Sequence, residues 1–426
     1  MAPSTIAIMI VAVAMILYVT AIIPLSTTTI LAMLAMAFTG VLTYPQAFSG
    51  YASTACLLTA SLMVIGEAIE QSGLSKVIGD WGIKRLHIKK KWFVVLLFII
   101  AGIASIFFTS TTVLLSLMPI IDSMSRSSNG EIIRRKDAYF PVAVSGILSS
   151  NMSIIGSISM LTSVAMLEES SLWKGGSVSL FAPFKLGAPA YFACLLIYMT
   201  FGYAMQDKLF DFPDNLPMES DGEAAEMQYD RRKQIIVAIV FIACLVCFCT
   251  EIVNMAAAGL LGAAVLVLTG CVDEKKAYRN LDWRTIIIVG GAIGFAKGLE
   301  VSGAASVIAE FALEHSGVFA QSAYAMCIIM LLISTLISNF CSNTAAAVML
   351  VPISLMLAQN FAYNPFPFVM AVALGVNISL ATPICVSTIT MTLAAGYRTK
   401  DYIRMGGFLN IVSFVVTAAA LRIFYF

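Results

Sequence analysis

The segment Phe340-Cys341-Ser342-Asn343-Thr344-Ala345-Ala346-Ala347-Val348-Met349-Leu350-Val351-Pro352 sets a polar triplet between two strongly apolar runs. The run before it, 320–337, and the run after it, 345–358, meet at Ser342-Asn343-Thr344, just beyond the helix-disfavouring pair Ser338-Asn339. An uninterrupted spanning helix does not fit that break. The pattern predicts a re-entrant hairpin near 320–358, two half-helices whose tip carries loosened backbone and small hydroxyl and amide side chains. Irregular backbone persists at membrane depth only where protein or a water-filled cavity surrounds it, so a polar tip marks a site.

The rest of the chain agrees with a membrane setting. Its 426 residues are 60% hydrophobic and only 12% charged, which requires many apolar segments and predicts an all-α polytopic membrane protein. A net charge of +1 leaves no basic footprint for nucleic acid. The first apolar run, 5–23, lacks a basic n-region and a small-residue cleavage site, and reads as a retained helix. Nine cysteines are scattered through apolar runs; Cys244, Cys247 and Cys249 lack the paired spacing of a zinc site and read as small buried hydrophobes. The two histidines, His87 and His315, lie outside the apolar runs. That removes HExxH metal chemistry and an intramembrane Ser-His pair, so the chain is not expected to be an enzyme.

In order, 5–23, 27–42 and 54–70 are crossings, and 74–91 alternates apolar and basic residues as a surface-lying amphipathic helix does. A second hairpin is predicted near 92–124, around Thr109-Ser110-Thr111-Thr112, because both of its flanks are basic and lie on one side. The stretch 139–167 is apolar but holds ten serine, asparagine and glycine positions that include Asn151, Gly156 and Ser157, the mark of a broken helix. After a crossing over 186–205, the hydrophilic 206–233 reads as a cytoplasmic linker between residues 1–205 and 234–426. Crossings at 234–252, 256–272 and 285–299 precede the first-quoted hairpin. A second broken helix near 369–395 is interrupted at Asn377, at Ala381-Thr382-Pro383 and at Ser387-Thr388-Ile389-Thr390, and 406–424 is the last crossing. About ten crossings and two hairpins put both termini on one side. All of the 25 Lys and Arg residues except Lys174, Lys185, Lys297 and Arg422 then fall on the other. The positive-inside rule makes that basic side cytoplasmic and the termini non-cytoplasmic, as in an inner (plasma) membrane protein.

The halves repeat. A shift of 230 residues brings Leu31 onto Leu261, Thr39-Gly40 onto Thr269-Gly270, Ala47 onto Ala277, Glu70 onto Glu300 and Ser72-Gly73 onto Ser302-Gly303. A shift of 233 then brings Thr109-Ser110-Thr111 and Pro119 onto Ser342-Asn343-Thr344 and Pro352. With an odd number of crossings in each copy, the second copy inserts upside down. Inverted repeats of this kind build midplane sites from broken helices.

These residues resemble the divalent anion/sodium symporter family, the sodium-coupled dicarboxylate, citrate and sulfate permeases of the ion transporter superfamily. The resemblance covers nearly the whole chain and is carried by Ser342-Asn343-Thr344 with Pro352, by Ala277-Tyr278-Arg279-Asn280-Leu281-Asp282-Trp283-Arg284-Thr285 and by Gly396-Tyr397-Arg398-Thr399-Lys400-Asp401-Tyr402. It implies an elevator-type homodimer in the lipid bilayer, with sodium beside the hairpin tips and no organic cofactor. The chain departs from the family at Thr109-Ser110-Thr111, at Ser157-Ile158-Ser159-Met160, which lacks the usual prolines, and at Ser387-Thr388-Ile389.

Hydroxyl, amide and carbonyl oxygens suit sodium, and half-helix N-termini suit an anion. The expected substrate-binding residues are Ser110, Thr111, Asn343, Thr344, Thr382, Pro383, Ser387 and Thr388; the expected cation donors are Thr109, Ser110, Asn151, Gly156, Ser157, Ser342, Asn343, Asn377 and Thr382. Lys297 and Glu300, with repeat counterparts Glu67 and Glu70, are expected to form an i,i+3 pair or to pack in a scaffold. The reading is a sodium-coupled symporter of a small divalent anion. Alternatives are a sodium/proton antiporter or proton-coupled anion transporter of the same superfamily, which need a titrating carboxylate that the motifs lack, and a channel.

Overall fold

The computed structural model describes residues 2–20, 22–72, 90–127, 133–212, 230–250, 252–304, 307, 322–383 and 386–426, and no β-strand occurs among them. The amphipathic stretch 74–91 is outside these residues, apart from 90–91, and so are most of the linker, His87 and His315.

The first half contains α1 (Pro3–Thr20), α2 (Leu25–Phe38), α3 (Thr54–Ser72), α4 (Lys90–Ser105), α5 (Ser110–Ser127), α6 (Arg135–Ser149), α7 (Ile158–Glu168) and α8 (Phe184–Ile197). A π-turn joins α8 to a last segment ending at Leu209. The second half contains α9 (Arg231–Thr250), α10 (Met255–Leu268), α11 (Trp283–Val301), α12 (Ala323–Ser338), α13 (Asn343–Asn360), α14 (Pro365–Asn377), α15 (Ser387–Thr392) and α16 (Gly407–Tyr425). Four helical stretches reach 18 residues with the apolar composition of a membrane span, and seven shorter apolar helices accompany them. The linker begins later than its composition suggests. Gln206 lies inside the last turns of the α8 segment, buried, with its amide donating to the carbonyls of Lys136 and Asp137.

The repeat is visible in how helices stop. Thr39 and Thr269 end α2 and α10 with nearly the same backbone angles, and Gly40 and Gly270 follow at φ +75° and +67°. Each glycine N–H returns to the helix, to Ala37 O and Val267 O. Such a left-handed stop is open to glycine at little steric cost. The contacts repeat as well. Helices α4 and α5 pack on α6 as α12 and α13 pack on α14, while α2 lies on α11 and its counterpart α10 lies on α3. Across the halves, α7 packs on α13 and α14, and α15 packs on α5 and α6. Each helix break is therefore seated against the hairpin of the other half.

A charged knot ties the base of hairpin α4–α5 to α6. Arg135 pairs with Asp122 of α5, and Tyr139 donates its hydroxyl to the same carboxylate. Arg134 bonds Asp137 and Asp207, and these carboxylates hold its guanidinium above the ordinary range. Sequence reading placed these residues only as a basic flank.

Candidate functional site

Each hairpin turns through four residues, 106–109 and 339–342, before its second helix begins. Each break likewise ends where a new helix starts. Ser157 caps α7, its side chain accepting the Met160 N–H, and Val386 precedes α15. These four starts converge. A cavity of about 170 Å³ is lined by 109–111 of α5, 157–159 of α7, 342–344 of α13 and 386–388 of α15, with Ile147, Ser150, Gly156 and Asn377 completing the wall.

Asn377 is the hub. Its Oδ1 accepts from Ser159 Oγ at 2.8 Å and from Asn343 Nδ2 at 3.2 Å, and its Nδ2 donates to Asn151 Oδ1 at 2.6 Å and to Ser157 Oγ at 3.1 Å. Asn343 Oδ1 accepts from Ser379 at 3.1 Å. On the opposite wall, Ser110 and Thr388 hydroxyls lie 2.8 Å apart, and Thr111 meets Thr388 at 2.9 Å and Ser387 at 3.1 Å. Hairpin α4–α5 thus touches the second break, and hairpin α12–α13 reaches the first break through Asn377.

Of the sequence candidates, Thr109, Ser110, Thr111, Gly156, Ser157, Ser342, Asn343, Thr344, Asn377, Ser387 and Thr388 line this cavity. Asn151 stands behind it, held by Asn377. Thr382 and Pro383 do not line it: the Thr382 hydroxyl donates to Asn339 O at the tip of α12–α13, and Pro383 O accepts from Thr390. Ser159, Ser150 and Ser379 join the site or its support without having been singled out. The signal for the first two was the serine density of 139–167. Among the described residues, no Asp, Glu, Lys, Arg or His side chain contributes to the lining.

Gly156 shapes the first break. A Cβ there would stand 2.6 Å from Ser150 O and 2.9 Å from Ser105 O, and neither carbonyl can withdraw without moving the hairpin tip. Gly156→Ala is expected to cost about 1–3 kcal/mol of overpacking, read as a lower thermal-unfolding midpoint in detergent.

Helices of this length and hydropathy, two broken at a shared polar cavity, are those of a multi-pass helical membrane protein. The family model described as "Citrate transporter" matches residues 10–375; the chain belongs to that family, and with it to the divalent anion/sodium symporters. Among its relatives, an uncharacterized transporter of Escherichia coli, YfbS, is 27% identical over 50% of this chain and 34% of its own length. The sodium-dependent high-affinity dicarboxylate transporter 3 of Caenorhabditis elegans is 26% identical over 35% of this chain and 26% of its own. Sodium/sulfate cotransporter 1 of Chlamydomonas reinhardtii is 24% identical over 40% and 19%. The matched stretch is thus about a third or less of these relatives' length. In fold, the YdaH transporter of Alcanivorax borkumensis superposes with a TM-score of 0.65 at 11% identity, covering 99% of this chain and 98% of that one.

Proposed function

We propose that the chain is a sodium-coupled symporter of a small divalent anion, a dicarboxylate such as succinate, or citrate or sulfate, in the plasma membrane. The observation that carries this reading is the convergence of four helix N-termini on a neutral cavity of about 170 Å³. Helix N-termini carry unsatisfied N–H groups and about half a positive charge each, so they stabilise an anion without a cationic side chain. A dianion needs further compensation, and hydroxyl and amide oxygens supply sites for sodium. The donors named from the sequence fit that role: Thr109, Ser110 and Ser157 at one hairpin, Ser342, Asn343 and Asn377 at the other, with Asn151 behind. Ser105 Oγ, fully buried without a hydrogen-bond partner, sits at the end of α4 beside the Gly146 backbone, an oxygen free to face a cation. The names of the nematode and algal relatives support sodium, dicarboxylate and sulfate. Proton-coupled exchange is disfavoured, since the lining offers no titrating group.

The two halves act as inverted repeats. The hairpins with α6, α7, α14 and α15 form a body that slides past α1–α3 and α9–α11, as an elevator in a homodimer with non-cytoplasmic termini. Alternating access of this kind moves a site between two entrances.

The test is uptake of labelled succinate, citrate and sulfate into proteoliposomes. At least one is expected to accumulate with an inward sodium gradient and to stop when choline replaces sodium. Sodium-independent uptake, or uptake driven by a proton gradient alone, would overturn the coupling.

A further inference from the structure

Among the described residues, a wide approach leads to the cavity. A vestibule of about 370 Å³ shares Thr109, Thr111 and Ser157 with it and runs beside α3, past Met63, Gly66 and Glu67, to Asp282. At the other hairpin there is only a seam of about 20 Å³, where α11 presents Ile293, Ala296, Lys297 and Glu300 to α13 and the end of α7. Shifted by 230 residues, Met63, Gly66 and Glu67 become Ile293, Ala296 and Lys297. The seam is the vestibule's counterpart in the second half, closed.

The charges along this route are unequal. Among the described residues, the vestibule carries the carboxylates of Glu67 and Asp282, the cavity carries no charged side chain, and Lys297 is the one cation lining any of the three. Glu67 accepts a hydrogen bond from Gln71. Lys297 is half-buried, and no hydrogen bond or ion pair joins it to another described residue, so the expected pair with Glu300 does not form. Glu169 and Glu300 also line the seam. The Glu300 carboxylate instead accepts the Ser171 N–H at 3.0 Å, a bond between α11 and the loop that follows α7. If the seam opens as the proposed alternating access requires, that bond breaks and Glu169 and Ser171 leave with the hairpin side, while Lys297 and Glu300 both stay on α11, with Lys297 at the mouth.

We propose that Lys297 is the anion-recruiting residue of the outer vestibule, which is the opened seam, and that Glu67 at the matching position of the inner vestibule disfavours rebinding of the released anion. This deepens the function proposed above and rests on its alternating access. Fixed charges of this kind change local ligand concentration and encounter rate. They leave the equilibrium to the ion gradients.

The test uses liposomes of known orientation, succinate, citrate and sulfate in turn as substrate, constant sodium, and choline chloride to set ionic strength. Lys297→Gln is expected to raise KM for the external anion about three- to ten-fold with little change in kcat, and the difference should shrink as choline chloride shortens the Debye length. Lys297→Arg should behave as wild type, and Glu67→Gln should lower KM only from the cytoplasmic face. Equal loss of kcat from both faces, without salt dependence, would reveal a merely structural lysine and overturn the proposal. An arm that needs no substrate is reaction of Lys297→Cys with an impermeant, anionic methanethiosulfonate, counted above the wild-type background. Reaction from outside is expected; reaction only from the cytoplasmic face, or none, would equally overturn it. Should the wild type take up none of the three anions, the proposed function falls, while the labelling still decides where Lys297 faces.

Discussion

Replacing Asn377 with alanine is expected to abolish the proposed sodium-driven anion uptake, with a larger effect than any other single change at the cavity. Asn377 is 3% exposed and serves four side chains: Ser159, Asn343, Asn151 and Ser157. Its loss strands a donor on Asn343 and an acceptor on Asn151, and a buried group left unpaired costs about 1–3 kcal/mol. Two such groups together cost about 2–6 kcal/mol, roughly thirty-fold or more in a binding constant at about 1.4 kcal/mol per factor of ten. Asn343→Ala is expected to come next, since that amide bridges Asn377 and Ser379 from the hairpin tip. Ser110→Ala should be milder, because its hydroxyl bonds Thr388, which keeps Thr111 as a partner. Uptake of the transported anion against anion and sodium concentration, at matched expression, ranks the three variants. Wild-type sodium dependence in Asn377→Ala would remove the cavity from the transport cycle.

Asp122→Ala is expected to be the most destabilising change in the charged knot. The pair it breaks is largely shielded, with Arg135 and Asp122 side chains 9% and 17% exposed. Removing one partner of a buried pair costs about 3–5 kcal/mol, because the remaining charge loses its close counter-charge while staying shielded from water. The Tyr139 hydroxyl loses its acceptor too. Asp207 makes a useful contrast: its bond to Arg134 joins side chains 49% and 28% exposed, and water and salt screen such a pair to about 1 kcal/mol or less. Thermal unfolding in detergent should therefore separate Asp122→Ala from Asp207→Ala clearly. Equal midpoints would mean that the knot does not clamp hairpin α4–α5 to α6.

The all-helical membrane fold, and the polar residues that the structure gathers around one cavity, were legible in the chain itself. A hydroxyl-amide triplet between two apolar runs has few resting places in a bilayer, because backbone freed from a helix must find partners inside protein. Hence Thr109-Ser110-Thr111 and Ser342-Asn343-Thr344 could be named as tips without knowing what faced them. The Thr-Gly stops at 39–40 and 269–270 were legible for a similar reason, since glycine adopts the left-handed turn without strain. What opposes each tip was a different matter. Asn377 and Thr382 looked alike as polar residues in one broken helix, yet Asn377 points across four helices into the cavity while Thr382 satisfies the Asn339 carbonyl. Four residues of irregular backbone separate them, and no periodicity carries orientation through such a stretch. Lys297 and Glu300 likewise read as neighbours on one helix turn, but Glu300 takes a partner from the loop after α7, 129 residues away in sequence. The sequence by itself determined which segments break and which residues are free to bond, because local backbone chemistry and the membrane decide that. Only the tertiary structure decided which of those free groups meet, because pairing at the cavity depends on how helices from opposite halves cross.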